Sequence, residues 1–237
     1  LALGIALAPV ASAQYDAPKS RKERAAESEA WKDEAPQADY SKEFRKQAGP
    51  VQALVNEKKW AEVLAAVPAL EAIEGLTQDD RTVITTWKLQ AAQGVGDQDG
   101  FAAAIESFLA GGYADPENVA AMHRQLAAIY SGKKDNAKTL EHFKAFVDAT
   151  PDVAPDEYET LGRLQLQASQ YAEACQTLGK AIDATTAKNE KPKEMWFQLR
   201  DRCFIETKDD ASRLSNLETL VGYYPDKTYY SRIVAIS

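Results

Sequence analysis

Cysteine and histidine are scarce in this chain, at two each in 237 residues. A zinc site needs three or four protein ligands. His123 and His142 fall on different predicted helices with no cysteine beside them, so no metal is expected and both rings are expected at the surface. Glycine and proline number only 12 and 10, which together with abundant alanine favours helix over sheet. The longest apolar run is the first ten residues, below the roughly 20 that a membrane-spanning helix requires. No Gly-x-Ser-x-Gly elbow occurs, and no nucleophile and base can be paired from spacing. The stretch from Gly94 to Gly100 follows a helical segment and lacks the acidic ligand that closes a calcium loop, so it reads as a hairpin turn. Catalysis and cofactors are therefore not expected.

What is there begins with Leu1 to Val10 and the small-x-small sequence Ala11-Ser12-Ala13, the pattern that signal peptidase reads. Export with cleavage after Ala13 is the expectation, placing the protein in a periplasm or outside the cell. No cysteine adjoins that site to accept a lipid. Residues 14–49 carry eight basic and eight acidic side chains and few apolar ones, which suggests a solvated linker or a lone charged helix. The net charge of -8 therefore belongs to residues 50–237. An acidic surface argues against nucleic acid and anionic lipid as partners.

From residue 50 onward, apolar-periodic segments alternate with short Gly, Pro or Asp punctuation, the pattern of successive helical hairpins. The predicted pairs are 50–57 with 59–74, 78–94 with 98–110, 116–132 with 135–149, 155–169 with 171–186, and 192–207 with 210–223. Pro116 and Pro155 mark first helical turns, while Thr77, Asp209 and Asp210 suit capping positions. Lys144-Ala-Phe-Val-Asp148, Lys180-Ala-Ile-Asp183 and Glu218-Thr-Leu-Val221 recur at offsets of 36 and 38 residues. A two-helix period in the mid-thirties implies a solenoid whose units cannot bury their apolar faces alone. Pro68 removes a backbone donor, so a kink is expected there. Tyr229 to Ser237 reads as the opening of another first helix, with the chain expected to continue.

These units resemble the tetratricopeptide repeat, whose pattern is W-x2-L-G-x2-Y in the first helix, A-x3-F in the second and then Pro. The fourth fits best, with Tyr158-x2-Leu161-Gly162, then Tyr171, Ala174-x3-Leu178 and Ala181. The third carries Leu126-Ala127-x2-Tyr130, Phe143 and Pro151. The fifth has Trp196-x2-Leu199, Leu217 and Pro225, with Arg200 at the small-residue position. The resemblance covers residues 50–224. It implies an all-α, right-handed α-solenoid of about five helix-turn-helix units, with Trp60, Trp87 and Trp196 in its core.

The resemblance also implies a protein or peptide partner held on the concave face. First-helix spacing then nominates Arg124, Ala128 and Ser131, next Glu159, Arg163 and Leu166, and then Phe197, Asp201 and Phe204. The alternative is that the shifted register of the fifth unit draws Phe197 and Phe204 into the core. By the family's packing, Cys175 and Cys203 lie at similar height on adjacent helices, giving either a disulfide or two buried free thiols. The implied function is a binding scaffold or adaptor of the cell envelope. Two alternatives stand beside it: a structural spacer in an envelope assembly, and the N-terminal part of an enzyme whose catalytic domain follows Ser237.

Overall fold

The structure, a computed structural model, describes residues 38–236. The expected export segment 1–13 and most of the 14–49 linker lie outside the described residues. Those from Tyr40 onward belong to one compact unit. Among the described residues there are eleven helices and no strand. They are α1 (Lys42–Asn56), α2 (Trp60–Glu71), α3 (Gln78–Val95), α4 (Gln98–Ala110), α5 (Pro116–Gly132), α6 (Asn136–Asp148), α7 (Pro155–Gln167), α8 (Tyr171–Thr186), α9 (Glu194–Thr207), α10 (Asp210–Tyr223) and α11 (Lys227–Ile236). Each packs on the next, so α1–α2 through α9–α10 are five hairpins stacked in chain order. This is the expected all-α solenoid of tetratricopeptide-like hairpins. Among the described residues no helix is long and apolar enough to cross a membrane.

The five hairpin turns share one backbone. Lys58, Gly96, Lys134, Ser169 and Lys208 all have positive φ, between 55° and 76°. These positions are 38, 38, 35 and 39 residues apart by subtraction. After each, the next amide reaches back to a carbonyl five residues earlier: Lys59 to Leu54, Asp97 to Ala92, Asp135 to Tyr130, Gln170 to Gln165 and Asp209 to Phe204. That bond, with a left-handed residue before it, is the Schellman ending of a helix. In three turns the following residue is an aspartate that caps the second helix: Asp97, Asp135 and Asp209 accept the amides of Gly100, Lys138 and Ser212 at 2.9 to 3.0 Å. The Gly94–Gly100 stretch is thus the hairpin turn expected of it.

Small residues set the spacing within a hairpin. A β-carbon on Gly162 would stand 2.8 Å from Leu178 Cγ, so α7 and α8 approach as closely as they do because that side chain is missing. Ala174, Leu178 and Ala181 opposite it are fully enclosed. Fully burying a side chain such as Leu178 is worth about 1.5–3 kcal/mol.

At the N-terminal end the fold departs from the expected boundary at residue 50. Helix α1 begins at Lys42 and runs through Pro50, and Phe44 is buried against Trp87 with ring centroids 6.1 Å apart. Lys42, Glu43, Arg45 and Lys46 occupy the exposed side of the helix, while Phe44 and Val51 supply the buried side. Helix α2 passes through Pro68, which is exposed. The i−4 carbonyl it leaves unpaired belongs to Leu64.

One carboxylate secures this end. Asp80 is buried, closes the capping box of α3 with Thr77, and accepts the Ser41 amide on both oxygens at 3.2 Å. Ser41 is itself the N-cap of α1. Burial raises the Asp80 pKa, but the hydrogen bonds from Ser41 and Thr77 outweigh it and hold the carboxyl below its ordinary range.

Two of the four neighbouring pairs of first helices, α1 with α3 and α7 with α9, bring Cα atoms within 8 Å, whereas no two second helices do. At both ends of the stack the first helices therefore lie on the inner side.

Candidate functional site

The inner wall is knitted by polar contacts between successive first helices. Arg124 of α5 pairs with Glu157 of α7 at 2.7 Å and lies over the Phe146 ring, its guanidinium carbon 5.1 Å from the centroid. Glu159 of α7 accepts Trp196 Nε1 of α9 at 2.7 Å, Arg163 Nε at 2.9 Å and Lys193 Nζ at 3.4 Å. Burial raises the Glu159 pKa, but these three donors together pull it below the ordinary value. Arg163 also contacts the Met195 sulfur.

The nine nominated side chains separate along this wall. Arg124, Ala128, Ser131 and Arg163 are exposed, and Glu159 is half-buried as the hub just described. Leu166, Phe197, Asp201 and Phe204 are buried, which corrects the expectation that a partner touches them. Phe197 packs toward Tyr223 of α10, ring centroids 6.0 Å apart. Phe204 and Leu166 share a core with Ala174 and Cys203. Asp201 accepts Arg213 of α10 at 2.8 Å and Arg232 of α11 at 3.2 Å. On α9 the exposed row is displaced by one residue, to Gln198, Arg202 and Ile205.

That row lines a cleft of about 540 Å³ between α9 and α11, closed on the other side by Thr228, Tyr229 and Arg232. Its carboxylates already have partners. Glu194 accepts the Tyr229 hydroxyl, which in turn accepts Gln198 Nε2 at 2.7 Å, and Asp226 accepts the Thr228 amide at 2.7 Å. Arg202 has no ion-pair partner among the described residues, and Ile205, three residues on, is 48% exposed. The cleft thus offers one uncommitted cation beside an apolar side chain.

A second polar cluster sits where α4 meets α5, the sparsest junction between consecutive helices. Glu106 of α4 accepts the Tyr130 hydroxyl of α5 at 2.6 Å and Lys138 Nζ of α6 at 2.9 Å, with His142 Nε2 at 3.5 Å. The His142 ring stacks on Tyr130, and its Nδ1 faces that of His123 at 3.2 Å. His142 is buried and His123 half-buried, so the expectation of two surface histidines fails. Facing positions on α5 and α6, 19 residues apart, bring them together. Lys133 and Asp99 add an ion pair across the same junction. Among the described residues no group of three or more His, Cys, Asp or Glu is arranged to hold a metal.

No protein-family model matches the chain, and no curated protein does. Solved structures similar to it include MamA residues 41 to the end from Desulfovibrio magneticus RS-1, at 13% identity, covering 80% of this chain and 99% of that one with a TM-score of 0.37. A Podospora anserina putative kinesin light chain with TPR-like repeats is 14% identical, covers 77% and 95%, and has a TM-score of 0.39. A tetratricopeptide repeat protein from Parabacteroides merdae is 12% identical, covers 83% and 73%, and has a TM-score of 0.34. The tetratricopeptide-like architecture rests on the hairpins, turns and spacing above.

Proposed function

We propose that this chain is a binding scaffold of the cell envelope that holds a peptide or protein segment against its first-helix wall, in the cleft between α9 and α11. The observation that carries the reading is Arg202, uncommitted and three residues from exposed Ile205 on the wall of that cleft. A segment bearing a carboxylate beside an apolar side chain complements it, because a partly desolvated Arg–carboxylate pair gives orientation and the apolar contact adds burial. The small-x-small sequence ending at Ala13 supports export as the route to the envelope.

The test is a photo-crosslinking residue placed at Gln198 and, as control, at exposed Glu218 on α10, both in the producing cell. One discrete partner crosslinked from position 198, absent from 218 and lost with Arg202→Glu, supports the site. Equal crosslinking from both positions, or capture indifferent to Arg202→Glu, removes it. The mature N-terminus read by mass spectrometry is expected at Gln14.

A further inference from the structure

Cys175 lies on α8 and Cys203 on α9, so they face each other where the fourth hairpin meets the fifth. Both are free and buried. Both side chains belong to one packed cluster. The backbones are tied at the same height: Arg200 Nε donates to the Cys175 carbonyl at 3.2 Å, and the Cys175 thiol points to the Arg200 carbonyl at 4.0 Å. The two sulfurs differ in access. Cys203 is fully enclosed among Leu166, Ala174, Leu178 and Phe204. Cys175 lines a cleft of about 430 Å³ with Gln176, Arg200, Thr207, Asp209 and Ser212. One sulfur an incoming molecule can reach, packed in the same cluster as one it cannot, is the arrangement of an attacking and a resolving thiol.

We propose that Cys175 and Cys203 form a thiol–disulfide exchange site, with Cys175 attacking, Cys203 resolving, and a low-molecular-weight disulfide as the substrate class. The Cys175 thiol loses its proton to water, and the thiolate attacks one sulfur of R–S–S–R. That bond breaks, and the first RS⁻ leaves with its electron pair and takes up a proton. Cys203 then loses its proton and attacks the Cys175 sulfur, expelling the second RS⁻, which is protonated in turn. The protein dithiol is oxidised by two electrons, R–S–S–R is reduced to two RSH, and the new bond joins α8 to α9. The direction of attack agrees with acidity. The Cys203 thiol lowers the pKa of Cys175 and, although burial opposes it, the Arg200 charge adds to the lowering. The Cys175 thiol and burial push Cys203 upward. The thiolate is the nucleophile, so the more acidic, reachable sulfur reacts first. The polar lining and the Arg200 cation suit a disulfide carrying carboxylates, of which oxidised glutathione is the probe.

The experiment exposes the reduced, folded protein to oxidised glutathione, quenches with acid and reads the intact mass. Wild type is expected to lose two hydrogens and retain no glutathione. Cys203→Ser, or Cys203→Ala if the serine does not fold, is expected to retain one glutathionyl group at Cys175. Cys175→Ser is expected to react at least about tenfold more slowly. Arg200→Gln is expected to slow the first step and shift its pH dependence upward while circular dichroism stays unchanged. Two persistent thiols in wild type overturn the proposal, as does a stable mixed disulfide there. So does Cys175→Ser reacting as fast as Cys203→Ser.

Discussion

The indole nitrogen of Trp196 donates to a Glu159 carboxylate oxygen at 2.7 Å, joining α9 to α7 across two successive hairpins. Trp196 is buried, and an indole N–H enclosed by protein needs an acceptor. Glu159 keeps Arg163 and Lys193 when that donor is removed. Trp196→Phe is therefore expected to cost about 1–3 kcal/mol from the lost charge-assisted hydrogen bond and reduced packing. Urea unfolding measures it, and a change below about 0.5 kcal/mol would mean the bond contributes nothing net.

Asp80→Ala strips acceptors from two helix starts at once, because the Ser41 and Thr77 amides both point at that carboxylate. The expected loss is about 2–3 kcal/mol, a lost cap together with buried amides left unpaired. Amide exchange should show α1 opening first. Equal acceleration in α10 would contradict the local origin.

Lys134→Gly and Lys208→Gly are each expected to stabilise the protein by about 1 kcal/mol, since both lysines are exposed and hold positive φ where a side chain is strained. The two turns are separate and share no partner, so the gains are expected to add. A fall in the thermal midpoint for either variant would show that the turn is not strained.

Acid should act in two steps. Burial first, and the facing His142 ring second, lower the His123 pKa from 6.5, with Glu141 opposing. The unfolded chain then takes the proton first, so this contribution is complete above 6.5 and is lost as the pH falls below it. Glu106 and Glu159 are also lowered, from 4.5, so their contribution is present above that value and lost below it. In Glu106, burial is outweighed by Tyr130, Lys138 and His142. His123→Gln should flatten the unfolding midpoint between about pH 7 and 5.5 and leave the decline below 4.5 intact. An unchanged upper step would exonerate His123.

The helices were readable in the sequence because their ends carry local chemistry: Thr77 before α3, Pro116 and Pro155 at first turns, Asp209 before α10. The start of α1 was not, because Phe44 is one aromatic among balanced charges and its partner Trp87 is far along the chain. The likeness of the five turns is hidden too, since the left-handed position is held by Lys, Gly, Lys, Ser and Lys. Exposure followed the expected spacing on α5 but slipped by one residue on α9. There α10 and α11 cover Phe197 and Asp201, a long-range effect that helical spacing does not encode.

The polar cluster around Glu106 gives the stack a seam. Few backbone atoms of α4 and α5 approach each other, and beside the apolar contact of Ala102 and Ile105 with Leu126 and Tyr130 the junction carries Glu106, Lys138 and the Asp99–Lys133 pair. In a one-dimensional array, cooperativity is only as strong as its weakest nearest-neighbour coupling. Ionic strength weakens exposed pairs and leaves apolar burial intact. High salt or Glu106→Ala therefore loosens the coupling between 40–110 and 116–236 while the apolar contact persists, so the calorimetric transition is expected to broaden toward two components.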